Sequence, residues 1–240
     1  MKYLFIVIGW LACILTSTLK AQIGEPRHSI ALGGNVGVTL NTIGFDPTIK
    51  QSQLASPTAG LTFRTVSEKY FQTVCALQVE LNYACLGWKE DIMSSQNVPL
   101  PDTYSRKLHY IQLPVLARLG WGREQNGWMG YFLAGPQVGF CFGETEEQGN
   151  SWSLDTNGNP DRPNGMFAQY GYGIDHKFDY GITAGAGVEY STSIGHFTLD
   201  ARYYYGLSDI YRNGKKDIFG RSNHGTISIR LTYLLDIIKD

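Results

Sequence analysis

The stretch His224-Gly225-Thr226-Ile227-Ser228-Ile229-Arg230-Leu231-Thr232-Tyr233-Leu234-Leu235-Asp236 decides the fold. Ile227, Ile229, Leu231, Tyr233 and Leu235 are apolar, while Thr226, Ser228, Arg230 and Thr232 between them are polar. Successive side chains of an extended chain point to opposite faces, so this segment, 224–236, is a strand with one apolar and one polar face. The same period of two runs through seven earlier segments, at about 28–40, 56–66, 72–87, 106–120, 128–142, 177–191 and 195–208. In 195–208, Phe197, Leu199, Ala201, Tyr203, Tyr205 and Leu207 oppose Thr198, Asp200 and Arg202. In 72–87, Cys75, Leu77, Val79, Leu81, Tyr83 and Cys85 oppose Gln78, Glu80 and Asn82. Each segment is long enough to cross ~25 Å of hydrocarbon when tilted, which takes about 9–11 residues.

Periodicity alone does not say whether the apolar face points into a core or out to lipid, and a soluble lipocalin-like barrel is also eight-stranded. Three features choose lipid. Arg and Glu recur in mid-strand on the polar face, and aromatic residues sit toward segment ends at Tyr70, Trp88, Trp121, Trp128 and Tyr190, where interfacial girdles belong. The connections also alternate in length. Short turns at 67–71, 121–127 and 192–194 face long loops at 41–55, 88–105, 143–176 and 209–223. The expected fold is all-β: an eight-stranded antiparallel up-and-down transmembrane β-barrel of the outer membrane, with turns and both termini in the periplasm and long extracellular loops. Pro114 and Pro136 fall at similar heights in adjacent strands and predict a bulge there.

Composition agrees with this reading. The 240 residues carry Lys+Arg 20 against Asp+Glu 21, a net charge of −1 that argues against nucleic acid as a partner. Charged residues make up 17%, below the ~25% of ordinary soluble domains, whereas Gly 28 and Tyr 15 run high. A mean hydropathy of −0.17 is too low for a bundle of membrane helices. At the N-terminus Lys2, the apolar run from Tyr3 to Leu15 and the small polar residues to Ala21 predict a signal peptide over 1–21, with the barrel domain at 22–240. A lipid anchor on Cys13 is disfavoured, because Trp10 stands where a lipidation box takes a small aliphatic residue. Cys75, Cys85 and Cys141 are odd in number and lack CxxC spacing, so neither a disulfide framework nor zinc is expected.

Four stretches resemble the PorT-like outer-membrane β-barrel family of Bacteroidetes-type bacteria. They are Tyr110-Ile111-Gln112-Leu113-Pro114-Val115-Leu116, Leu133-Ala134-Gly135-Pro136-Gln137-Val138-Gly139, residues 179–190 (DYGITAGAGVEY) and residues 201–210 (ARYYYGLSDI). The resemblance covers most of 22–240, is weakest in the long loops, and implies an eight-stranded outer-membrane barrel linked to secretion or envelope integrity. One departure is the end of the chain. Such barrels often finish on an aromatic residue, whereas here Asp236-Ile237-Ile238-Lys239-Asp240 follow Tyr233, the nearest candidate.

The inward face is expected to carry Arg64, Glu80, Arg118, Glu189, Asp200, Arg202 and Arg230. An eight-stranded barrel is just wide enough to be filled by side chains, and buried charges must pair, so an ion-pair plug is expected rather than an ion pathway or a general pore. The 143–176 loop, too long for a mere connector, mixes Glu144, Glu146 and Glu147 with Trp152, Phe167, Tyr170 and Tyr172, which suits a partner-binding surface or a self-packed lid. The run Asp155-Thr156-Asn157-Gly158-Asn159-Pro160-Asp161 invites calcium, but Pro160 stands where such a loop wants Gly and Met166 where it wants a bidentate Glu. His109, Asp175, His176, Asp209, Ser222 and His224 fall near the outer rim and form the enzyme alternative, a lipid-modifying barrel; no pair has diagnostic spacing. The expected partners are outer-membrane lipid and a protein or surface ligand at the loops. No cofactor, metal or catalytic residue is expected.

Overall fold

A computed structural model describes residues 24–238 apart from 151, 164 and 165. The expected signal peptide over 1–21, Cys13 and the last two residues lie outside the described residues. The strands are β1 (Glu25–Asp46), the two-residue β2 (Gln51–Ser52), β3 (Leu54–Tyr70), β4 (Thr73–Glu90), β5 (Tyr104–Gly122), β6 (Gly127–Gln148), β7 (Phe178–Thr192), β8 (Gly195–Asp209) and β9 (Arg221–Ile238). Apart from β2, which extends the edge of β4, they pair antiparallel in chain order. β1 pairs with β9, and the β4–β5 pairing completes a ring of eight. No helix among the described residues is long and apolar enough to cross a membrane; the strands do so instead.

The wall is inverted relative to a soluble protein through most of its height. Leu61, Leu81, Phe132, Ile182, Leu199 and Leu231 are exposed on the outside, and Asn35, Thr62, Glu80, Gln112, Thr183 and Arg202 are buried inside. A soluble barrel puts its apolar rows inward, so this arrangement excludes the lipocalin-like alternative. Near the turns, Trp121, Trp128, Tyr190, Phe197 and Tyr233 form an outward aromatic belt, with Trp128 on Tyr190 at 4.8 Å and Phe197 on Tyr233 at 4.8 Å. A second belt of Tyr83, Phe142, Phe178, Tyr180 and Tyr205 faces outward toward the loop end. Trp88 does not belong to either belt. It falls on the inward parity of β4 and is fully buried, which corrects its expected place in a girdle.

Several strands run further toward the loops than their apolar-out pattern extends. β1 continues to Asp46 and β6 to Gln148, so the loops shrink to 47–53, 91–103, 149–177 and 210–220. In these extensions the alternation survives with its sense reversed: Ile43, Phe45, Leu86, Trp88, Tyr104 and Leu108 are buried inside, while Asp46, Lys89 and Glu147 face outward. A reading keyed to outward apolar residues ends where the sign changes.

The expected proline bulge is absent. Pro114 pairs with Gln137 and Ala117 with Ala134 in one register, and Pro136 pairs with Ile182 in another unbroken ladder. Proline removes a donor, but a register shift needs an extra residue. The shifts lie elsewhere: near the turn end between Pro26 and Ser29 and between Ile30 and Ala31 on β1 and between Val66 and Glu68 on β3, and toward the loops at two places, between His109 and Tyr110 on β5, where Phe142 is left over on β6, and between Tyr205 and Asp209 on β8. These last two fall where the strands leave the apolar band.

Candidate functional site

The lumen is filled from the turn end by charge. Glu189 on β7 accepts from Arg64 Nη1 of β3 at 2.6 Å and from Arg118 of β5. His196 on β8 lies with Nδ1 2.7 Å from Glu189 Oε1 and Nε2 2.8 Å from Asp236 of β9. Higher up, Glu80 on β4 accepts from Arg202 at 3.0 Å and Arg230 at 2.9 Å, with Gln78 and Asn82 donating as well. Arg202 also grips Asp200 at 2.5 and 3.0 Å. Tyr131 joins the two groups: Arg118 stacks on its ring at 3.7 Å, and its hydroxyl donates to Asp200 at 3.0 Å. Gly187 makes this junction possible, because a Cβ there would stand 2.6 Å from Asp200 Cβ and 2.7 Å from Tyr131 Cζ.

All seven expected interior residues therefore stand in one network. Residue choice by parity within the visible segments missed three further members. Asp236 balances the four arginines against four carboxylates; His196 and Asp236 continue the inward rows of β8 and β9, and Tyr131 that of β6. Unpaired, each of these charges costs several kcal/mol to bury, so pairing is the condition for filling the lumen this way.

Above a layer of Asn35, Asn41, Thr58 and Thr226, the lumen turns apolar. Phe45 meets Trp88 at 5.1 Å and Phe219 at 5.3 Å, and Tyr211 stacks on Phe219 at 5.1 Å. Burial pushes the Tyr211 hydroxyl up to about 12, so it serves as a neutral hydrogen-bonding group. Its oxygen accepts from Arg106 at 3.0 Å, and Arg106 pairs with Glu146 at 2.7 Å. The long loop closes this core from above. Arg162 lies between the rings of Trp152 (4.4 Å) and Tyr170 (5.3 Å) and pairs with Asp102 at 3.1 Å. The Tyr170 hydroxyl, pushed upward by burial and by Glu90 beside it, donates to Glu90 at 2.6 Å. Of the four aromatic residues expected at a partner surface, Trp152 and Tyr170 are thus half-buried in the lid, whereas Phe167 (37%) and Tyr172 (50%) are exposed.

The rim residues are scattered. His109 points outward and hydrogen-bonds Tyr83, His224 is buried against Tyr110, and His176 Nδ1 meets the Asp209 carbonyl at 3.0 Å. Among the described residues none of these histidines hydrogen-bonds Ser222, whose hydroxyl instead accepts from Tyr211 N at 3.0 Å. A nucleophile needs its base within reach, so these side chains form no catalytic constellation. A Ser-His-Asp chain does occur at the turn end, with Ser191 2.9 Å from His196 Nδ1, but Ser191 is 1% exposed and also donates to Glu189. Among the described residues no group of three or more His, Cys, Asp or Glu is placed to hold a metal ion. In the 155–161 run the Asp155 carboxylate is taken up by the amides of Asn157 and Asn159, at 2.8 and 2.9 Å.

Comparison with known proteins matches residues 20–212 to the family described as "Outer membrane protein beta-barrel domain". Similar solved structures include Ail, the attachment invasion locus protein of Yersinia pestis, at 14% identity, covering 88% of this chain and 99% of that one with a TM-score of 0.35. Neisserial surface protein A matches at 13% identity over 85% and 96% of the two chains, with a TM-score of 0.40. The outer membrane protein OprG from Pseudomonas aeruginosa matches at 10% identity over 89% and 96%, with a TM-score of 0.42. No curated protein matches the sequence.

Proposed function

The chain belongs to the outer membrane protein beta-barrel domain family, and from that premise we propose that it is a sealed, non-enzymatic barrel of the outer membrane whose loop cap binds a partner. In this reading the turns face the periplasm and the loops face outside. The ion-pair network and the apolar core above it leave the barrel without a transport role, so the working surface is the cap.

One observation carries the reading. Apolar side chains stand exposed on a cap that is itself packed from below: Val98 (54%), Leu154 (57%), Phe167 (37%), Tyr172 (50%) and Ile218 (58%). Tyr172 and Ile218 line one hollow of about 190 Å³. Scattered exposed apolar residues are ordinary, but several on a packed platform above the lipid belt suit protein contact. The partner belongs to a secretion or envelope-integrity assembly, the role the PorT-like resemblance implies. Crosslinking and pull-down from intact outer membranes tests this: the wild-type chain is expected to retain a discrete partner that Phe167→Ala/Tyr172→Ala loses. Retention of the same partner by the double variant overturns the surface assignment, and stepwise conductance in a planar bilayer overturns the seal.

A further inference from the structure

Beneath the lid, beside the buried Glu90, lies a cavity of about 350 Å³. Its apolar wall includes Ile49, Ile92, Met93 and Met166 and its polar wall Glu90, Asp91 and Gln169; two cations also line it, Arg162 and the exposed Lys50, whose Nζ lies 3.5 Å from Met93 Sδ. The size and the lining, mostly apolar with a few placed polar groups, are those of a small-molecule site. Two methionines add side chains that adapt to the shape of an occupant.

The polar wall indicates what that occupant carries. Glu90 is 6% exposed, and its carboxylate accepts from three neutral donors: Trp88 Nε1 at 3.2 Å, Gln169 Nε2 at 3.1 Å and Tyr170 OH at 2.6 Å. Among the described residues no Lys, Arg or His nitrogen comes within 4 Å of it. Arg162, which also lines the cavity, pairs with Asp102, lies between two rings and donates from Nε to the Tyr170 hydroxyl at 2.8 Å, so it acts on Glu90 from beyond that hydroxyl rather than in contact. Gln169 is 1% exposed, its amide NH₂ is spent on Glu90, and its Oε1 has no hydrogen-bond partner. A buried carboxylate with no cation in contact and a buried amide oxygen without a donor thus share one cavity wall. The amide oxygen is an acceptor left unmet and the carboxylate a buried charge held only by neutral donors, and both cost free energy. An ammonium group supplies a positive charge and three N–H donors in one small head.

We propose that this cavity is a binding site for a small primary amine, with the ammonium head on Glu90 and Gln169 Oε1 and the apolar body against Met93, Met166, Ile92 and Ile49. The site is separate from the exposed partner surface, so either assignment stands or falls without the other.

The methionine methyl groups supply the test. Met93 and Met166 line the cavity, and Met129, which faces the lumen near the turns, is an internal control. The refolded chain, labelled with ¹³C-methyl methionine in micelles, is titrated with 2-phenylethylammonium, 2-phenylethanol and 3-phenylpropionate. The ammonium is expected to give saturable shifts at Met93 and Met166 with Met129 unmoved, and to bind at least tenfold more tightly than the alcohol or the carboxylate. Glu90→Gln is expected to abolish that preference and Gln169→Leu to weaken ammonium binding several-fold. Non-saturating shifts, equal shifts at all three methionines, or equal response to the three probes overturns the proposal. Because the probe ranking is read on the wild-type chain, it decides the matter even where a variant fails to fold.

Discussion

The turn-side and loop-side parts of the wall obey the same alternation with opposite chemistry. On the turn side Glu80, Arg202 and Arg230 point in while Leu199, Ile229 and Leu231 point out; on the loop side Phe45, Trp88 and Leu108 point in while Lys89, Ser105 and Lys107 do not. A strand specifies only that neighbours part company. Which neighbour goes inside is set by what surrounds the wall, hydrocarbon below the outer belt and water above it. The protein thus stacks a soluble-style core on a membrane-style one within continuous strands.

The largest effect is expected from Glu80→Leu, which leaves Arg202 and Arg230 buried without their shared carboxylate. A loss of about 3–5 kcal/mol in urea unfolding of the whole barrel is the expected cost of breaking such a pair, and a loss below ~1 kcal/mol would mean that water solvates the lumen. Trp88→Ala removes a fully buried ring and is expected to cost about 3–5 kcal/mol as well, but locally. Limited proteolysis should then cut the 91–103 and 149–177 loops while heat-modifiable migration in gels persists; loss of both together would erase the distinction between the two cores. On the outer face, Ile229→Arg in mid-band should cost ~2–4 kcal/mol on insertion. The reciprocal Lys89→Leu above the belt should change stability by no more than about 0.5 kcal/mol. If that pair behaved alike, the proposed edge of the hydrocarbon would be misplaced.

The sequence made the turn-side half legible because parity there carries two concordant signals, apolar rows outward and charges inward. It named seven of the charged residues that the lumen holds, and passed over His196 and Asp236, the inward positions nearest the turn ends of β8 and β9. The loop-side half was hidden by its own sign change: Ile43 and Phe45 look like loop residues to a reading that expects Thr42 and Gly44 to be apolar. Trp88 misled for the same reason, a girdle residue by height but a core residue by parity. Trp152 and Tyr170 had no period to place them: their contacts with Arg162 lie within one irregular loop, and Tyr170 reaches Glu90 on a strand far away in the chain.

The seam between β1 and β9, running from Ile30 opposite Ile238 to Asp46 opposite Arg221, sets an order of assembly. Seven seams join strands that follow one another and can zip as hairpins, whereas this one waits for the rest. β9 carries Arg230, whose carboxylate Glu80 lies on β4 across the lumen, and Asp236, which meets His196 of β8, so closing the seam completes ion pairs at both levels of the plug. Until then both edges are open, a state hydrocarbon does not tolerate. Closure of the ring and completion of its cross-lumen ion pairs are therefore one event, and those pairs act as a latch that holds only once the cylinder is complete.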